Sequence, residues 1–398
     1  MKTKIKFFIV LSLFAFACKK DSSLSKEQSD FFIKYFGNSS VNQSGDIKQT
    51  PDGGYIIIGT VSDGASTNIS LIKTDAWGNK EWTRTFGGIL SDLGKSVQLT
   101  PDGGYILLGT YMHSPENTDM FLIKTNASGK EIWPTSKKIG GLANQEGNCV
   151  DLTSDGGYIL AGSTTLKTIR NSSGTRDIFY VKTNANGDST WSNAIDNNWE
   201  DFASFVKQKP NNGFVITGSS EKNIGKGSDI IVIETDLSGS PICSPTFGGT
   251  NNEFGESIEI LSNGNYILTG STSSYGNGGS DIYMAEIQKS GDNLEMLWNK
   301  SFGGALDDFG KKIISTNDNG YIIIGSTKSI LNDFDQYLIK TNHEGTQQWT
   351  KTYGGAGVDK GMAVVQTKDG GYAILGITQQ GGNPMISLIK TKSTGELK

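Results

Sequence analysis

Short apolar runs alternate with glycine-rich polar breaks along this chain, and the pattern returns at a nearly fixed interval. It reads DGGYIIIG from Asp52, DGGYILLG from Asp102, DGGYILAG from Asp155, NNGFVITG from Asn211, NGNYILTG from Asn263, DNGYIIIG from Asp318 and DGGYAILG from Asp369. The aromatic residues Tyr55, Tyr105, Tyr158, Phe214, Tyr266, Tyr321 and Tyr372 follow one another at 50 to 56 residues. Runs this short, rich in Ile and Tyr, are predicted to be strands buried on both faces rather than helices. Before each lies a strand such as KSVQLT (95–100), which enters an Asp-Gly turn suited to a tight hairpin. A third strand follows a loop of variable length: LIKT at Leu71, Leu122, Leu338 and Leu388, YVKT at Tyr180 and VIET at Val232. After a second glycine turn, a fourth begins at Trp82, Trp133, Trp191, Ile242, Trp298 or Trp349 and in most copies ends in Phe-Gly-Gly or Tyr-Gly-Gly.

A four-stranded sheet with two apolar faces needs a neighbour on each side, and stacking such sheets around an axis buries all but their rims. The expected fold is therefore all-β: a seven-bladed β-propeller over residues 30–398, with four antiparallel strands per blade. The last repeat stops short of a fourth strand, whereas FIKYFG (32–37) stands before the first repeat and matches WTRTFG (82–87). The N-terminal strand is thus expected to close the last blade. An open solenoid would want polar capping repeats instead.

The consensus FGG-x-x-x-D-x-G-x-S-V-x-x-T-x-DGGYII-x-G-x-T, with D-x-x-LIKT-x-x-x-G-x-x-W, resembles the SBBP-type β-propeller repeats of bacterial secreted and surface proteins. The resemblance covers residues 31–398 and implies an architecture, not a ligand. Asp75, Gly78 and Trp82 also resemble the Asp-box turn of sialidases. Their spacing departs from S-x-D-x-G-x-x-W and no arginine triad is in place, so these tryptophans are expected to be packing residues.

At the N-terminus Lys2, Lys4 and Lys6 precede an apolar run from Phe7 to Ala17, which predicts a signal peptide over 1–17, too short to span a bilayer. Ala15-Phe16-Ala17 fits a small-x-small cleavage site, and Cys18 stands where a lipoprotein carries its acylated cysteine, although Ala15 and Phe16 depart from the usual lipobox. Residues 18–29 are polar and predict a flexible tether. Cys18-Lys19-Lys20-Asp21 resembles the start of Bacteroidota lipoproteins, which implies an outer-membrane, cell-surface location with the lipid at Cys18 as the membrane attachment. Removing the three leader lysines from 36 basic residues leaves 33 against 41 acidic ones, so the charge moves from −5 to −8. An acidic surface argues against nucleic acid. Cys149 and Cys243 occupy non-equivalent repeat positions and predict no disulfide framework.

Loops after the second and fourth strands emerge on one face, the variable face, where binding residues are expected to gather. An inner ring there comprises Asn42, Asp92, Gln145, Asp201, Glu253, Asp308 and Asp359. Near a propeller axis these carboxylates could meet a cation or a polyhydroxylated ligand; equally, each could accept backbone hydrogen bonds from its own turn. An outer ring of Asn68, Asp119, Asp177, Asp229, Asp281 and Asp335 has the same two readings. Residues that break the repeat are more telling, because symmetry does not explain them: Tyr111, Met112 and His113, the insertion 167–176, Trp199, Tyr275, and Ile330, Leu331 and Phe334. Aromatics on that face could stack on sugars, anchor a protein or pack on neighbouring loops.

No nucleophile–histidine arrangement can be built from His113 and His343, and no metal, calcium-loop or phosphate-loop motif occurs, so neither cofactor nor metal is expected. Catalysis would have to use inner-ring carboxylates as a glycosidase pair. The reading that results is a non-catalytic, surface-anchored propeller binding a protein partner in an outer-membrane assembly. Capture of an extracellular carbohydrate or other ligand is the first alternative, and glycan cleavage on the inner ring the second.

Overall fold

The computed structural model describes residues 31–37, 42–62, 64–141, 143–165, 175–197, 199–210, 213–221, 227–328 and 333–397. The predicted signal peptide, Cys18, the predicted tether, most of the 167–176 insertion, Ile330 and Leu331 lie outside them. Among the described residues no helix is long and apolar enough to cross a membrane.

Strands pair only with antiparallel neighbours, in seven sheets. Blade 1 runs Asn42–Gln49, Tyr55–Ser62, Thr67–Thr74 and Lys80–Phe86 from inside to outside. The inner strands of the next six blades are Leu93–Leu99, Gln145–Leu152, Asp201–Gln208, Glu253–Ile260, Asp308–Ser315 and Lys360–Gln366. Each neighbours the next, and the seventh neighbours the first, so the sheets form a ring. The fold is a seven-bladed β-propeller.

Closure occurs as the pattern predicts. Phe32–Phe36 pairs with Asn383–Thr391 of blade 7, Phe32 opposite Lys390 and Phe36 opposite Ile386. Phe36 then joins Ile47, Tyr55 and Ile57 of blade 1 and Leu375, Ile386 and Leu388 of blade 7 in one buried cluster. Across the same joint the Asn42 side-chain amide donates to the Pro384 carbonyl at 2.8 Å, and Lys368 Nζ to that of Pro51 at 2.7 Å.

Each outer-strand tryptophan reaches the next blade. Trp82 lies 6.2 Å from Tyr105, Trp133 6.2 Å from Tyr158, and Trp191 5.7 Å from Phe214, centroid to centroid. Phe32 takes the tryptophan's place at the closing joint, 6.4 Å from Tyr55. It also covers Gly78, a turn residue with φ of 73°, where a Cβ would collide with its ring.

Two outer strands depart from the expected pattern. In blade 2 the regular strand is only Lys137–Ile139, beyond Trp133, because Pro134 has no N–H to give the ladder. In blade 4 it splits into Pro241–Cys243 and Thr246–Phe247, separated by Pro245. The Pro245 carbonyl still accepts from Val232 N–H at 3.1 Å.

Candidate functional site

Every inner strand carries a β-bulge at the same register. The extra residues are Gly45, Lys95, Asn148, Ser204, Glu256, Lys311 and Met362, each skipped where pairing with the second strand shifts. The residue before each is small for a steric reason: a Cβ on Gly94 would strike the Gly59 carbonyl oxygen, and one on Gly310 that of Gly270. With the backbones pressed so close, the next residue is left unpaired and its side chain is re-aimed, as bulges do. All seven bulged residues line one axial cavity of about 420 Å³.

Its chemistry has no seven-fold symmetry. Lys311 Nζ sits 2.5 Å from Glu256 Oε2 of the neighbouring blade. Lys95 makes no ion pair among the described residues; burial lowers its pKa, nearby Lys311 lowers it further, and Glu146 and Glu256 oppose the change. Lys312 reaches over the Phe205 ring, 3.8 Å from its centroid, and skips a blade to do so. Burial also lowers the Lys312 pKa, with Asp46 opposing and Lys48 adding to the fall. Cys149 lines the same cavity, its thiol pushed up to about 11 by burial. Further along the strands Lys48 pairs with Asp46 and Lys207 with Glu259, each at 2.5 Å.

The predicted inner ring lies elsewhere. Asp92, Asp201, Glu253, Asp308 and Asp359 are buried, and none of them lines the axial cavity. They bond backbone instead. Glu253 Oε2 accepts from Gly249 N–H at 2.7 Å, Asp308 Oδ2 from Gly304 at 2.7 Å, Asp359 Oδ2 from Gly355 at 2.8 Å and Asp92 Oδ2 from Gly88 at 2.5 Å. In Asp92 and Glu253 the second oxygen ties the same corner to the end of the second strand: Asp92 accepts from Met112 N–H at 2.8 Å, and Glu253 from Ser274 N–H at 3.1 Å and the Thr272 hydroxyl at 2.8 Å. Of the two readings open in the sequence, the geometry is that of the turn-clamping one.

The two acidic rings meet corner by corner around the first glycine of each Phe-Gly-Gly. A Cβ on Gly303 would strike both Asp281 and Asp308, and one on Gly248 both Asp229 and Glu253. Burial, together with the like charge of Asp177, lifts Asp201 to about 6. A raised carboxyl is what a glycosidase acid needs, but Asp201 is fully buried and the Asn197 N–H donates to it at 3.2 Å. Among the described residues no group of three His, Cys, Asp or Glu side chains is placed to hold a metal ion.

The repeat-breaking aromatics fall into separate clusters. Tyr111 packs edge-on against Phe121 at 5.1 Å and against His113 at 4.8 Å, with the Lys138 ammonium 3.7 Å from its ring. His113 Nε2 lies 2.7 Å from Asp119 Oδ2. Tyr275, 39% exposed, stacks on buried Tyr283 and donates to the Gly248 carbonyl at 3.2 Å. Phe334 meets Phe309 at 5.8 Å, and the ammoniums of Lys360 and Lys328 stand 5.3 and 5.7 Å from its ring. Trp199 is half-buried in the loop leading to Asp201.

Phe309 and the axial lysines are absent from the candidates the sequence yields. A signal for them exists: after the small residue in D-x-G-x-S-V the next position reads Gly, Lys, Asn, Ser, Glu, Lys and Met along the copies, while the residue before it is always Gly, Ala or Ser. That is the bulge position.

No family model and no curated protein matches the chain. Solved structures do. The chain is similar to YCF48 bound to D1 peptide (11% identity, TM-score 0.54, covering 92% of this chain and 96% of that one). It is also similar to the Neurospora crassa Pan2 WD40 domain (11%, 0.52, 91% and 99%) and to Chaetomium thermophilum Sqt1 (11%, 0.51, 90% and 97%). At such identities the likeness shows the propeller fold alone.

Proposed function

We propose that this protein is a non-catalytic propeller scaffold, anchored at the cell surface through lipid on Cys18, that binds a protein partner of an outer-membrane assembly through its variable face. The leader and Cys18 support the anchor, and the repeats are read as SBBP-type. The observation that carries the binding is the Phe309–Phe334 pair: Phe309 is 38% exposed on the variable face, and Lys328 and Lys360 flank Phe334. Aromatic anchors rimmed by charge are the usual centres of protein interfaces. A propeller of similar fold, YCF48, has been solved with a peptide bound. The inner-ring carboxylates speak against glycan cleavage, since they are buried outside the axial cavity and spend an oxygen on the backbone they brace.

A pull-down from detergent-solubilised membranes tests this. Wild type is expected to retain an outer-membrane protein in stoichiometric amount, and the Phe309→Ala/Phe334→Ala variant to lose it while melting as wild type does. Recovery of the propeller alone, with retention on a glycan array, would replace partner binding with carbohydrate capture.

A further inference from the structure

Nothing in partner binding through Phe309 and Phe334 accounts for the axial lysines. Lys95 and Lys311 come from blades 2 and 6, on bulges that turn them into one cavity of about 420 Å³. They are close enough to repel each other. Lys311 has Glu256 as counter-ion, whereas Lys95 has no ion pair among the described residues. A third ammonium, Lys312, is held over Phe205. Like charges gathered in one cavity oppose folding unless a counter-charge joins them, so their presence there is the mark of a binding site rather than of a structural brace. The lining also includes Ser44, whose buried hydroxyl has no hydrogen-bond partner among the described residues.

We propose that the axial cavity is a carboxylate-binding site in which Lys95 and Lys311 grip the carboxylate and Lys312 adds positive field from the adjacent step of the strand. A carboxylate between the two ammoniums converts their repulsion into two charge-assisted hydrogen bonds. Glu146 and Glu256 on the same wall disfavour a multiply charged anion and favour one that also offers N–H or O–H donors. A free amino-acid-like acid and an acidic side chain inserted by a partner carry the same chemistry, and the cavity opens to either.

Calorimetric titration of the intact protein at constant ionic strength tests the site, with three probes: N-acetylglutamate for a free acid, an amidated glutamate-centred pentapeptide for a partner's side chain, and inorganic phosphate. Binding of either carboxylate probe is expected, weakened about ten-fold or more by Lys95→Met or Lys311→Met and unchanged by Lys130→Met on a distant turn. Which carboxylate probe binds tells the source. If Lys311→Met fails to fold because Glu256 is left unpaired, Lys95→Met, which breaks no ion pair, reads the site alone. No binding of either carboxylate probe, tighter binding of phosphate, or equal affinity in the Lys95→Met variant would overturn the assignment. The Phe309→Ala/Phe334→Ala variant is expected to bind the probes normally, so failure of this site and failure of the partner face are read separately.

Discussion

Lys182 Nζ lies 2.8 Å from Asp155 Oδ2 and 2.7 Å from the Thr183 carbonyl oxygen, so the lysine of the third strand and the aspartate of the Asp-Gly-Gly turn are two halves of one ion pair. The same pair forms between Lys73 and Asp52, Lys124 and Asp102, Lys340 and Asp318, and Lys390 and Asp369. Blade 4 exchanges the charges. Glu234 occupies the lysine's place and meets Lys209, at 3.4 Å, from the position where most blades have threonine. The short-turn face is therefore braced by charge as well as by turn geometry.

These pairs set a pH dependence. Burial works against ionisation of Asp155, but hydrogen bonds from Lys182 and Thr153 hold it at about 2, below its ordinary 3.8. A folded-state value below the unfolded one stabilises the fold above pH 4, and that contribution is lost as pH falls towards 2. Asp155 is 62% exposed, so each pair is worth less than about 1 kcal/mol, and the repetition makes the effect measurable. Thermal unfolding from pH 7 to pH 2 should show the melting temperature dropping below pH 4. Lys182→Met should cost less than about 1 kcal/mol at pH 7 and soften that drop.

Asp201 should behave in the opposite way. Its folded pKa of about 6 lies above the ordinary 3.8, so the folded state binds the extra proton and stability falls as pH rises from 4 to 6. Asp201→Asn should flatten the stability curve over that range and leave the protein at least as stable at pH 7. Unchanged slope in urea unfolding at pH 4, 5 and 6 would show that Asp201 does not titrate there.

Removing residues 31–37 takes the outer strand from blade 7 and exposes the edge of Asn383–Thr391. It also strips Phe32 from Gly78 and Tyr55 of blade 1. Unfolding of the shortened chain should lose cooperativity and begin at lower denaturant, read by tryptophan fluorescence and circular dichroism together. Coincident, unshifted transitions would mean that the ring does not depend on this strand.

Tyr158→Ala should cost about 3 to 5 kcal/mol, because the ring is almost wholly buried among Ile106, Leu108 and Trp133 and no neighbour can fill its place. Tyr158→Phe keeps that packing and should cost about 1 kcal/mol or less. Urea unfolding of the two variants separates the contribution of the ring from that of its hydroxyl.

The blade count, the strand order and the closing strand were legible because turn glycines and two-sided apolar runs report local structure, and seven copies report the ring. The site was less legible. Asp308 and its equivalents look functional in sequence since a repeat lines them up, yet one oxygen of the carboxylate is taken by the N–H of Gly304 or its counterpart. The bulge that turns Lys95 and Lys311 to the axis depends on close approach between neighbouring blades, a tertiary contact that strand alternation does not encode. Phe309 escaped notice for a different reason: a phenylalanine inside a strand pattern reads as core, and only the assembled ring shows that its position opens on the rim.

Partner binding through the variable face is tested most directly by site-specific photocrosslinking in the cells that make the protein. A photoreactive residue is placed at Phe309 or Phe334, or at Ala127 on the opposite, short-turn face, which is exposed in a turn. The same single membrane-protein adduct is expected from Phe309 and from Phe334, with none from Ala127. An adduct from Ala127 alone, or no adduct from any of the three, would contradict the binding face assigned to this propeller.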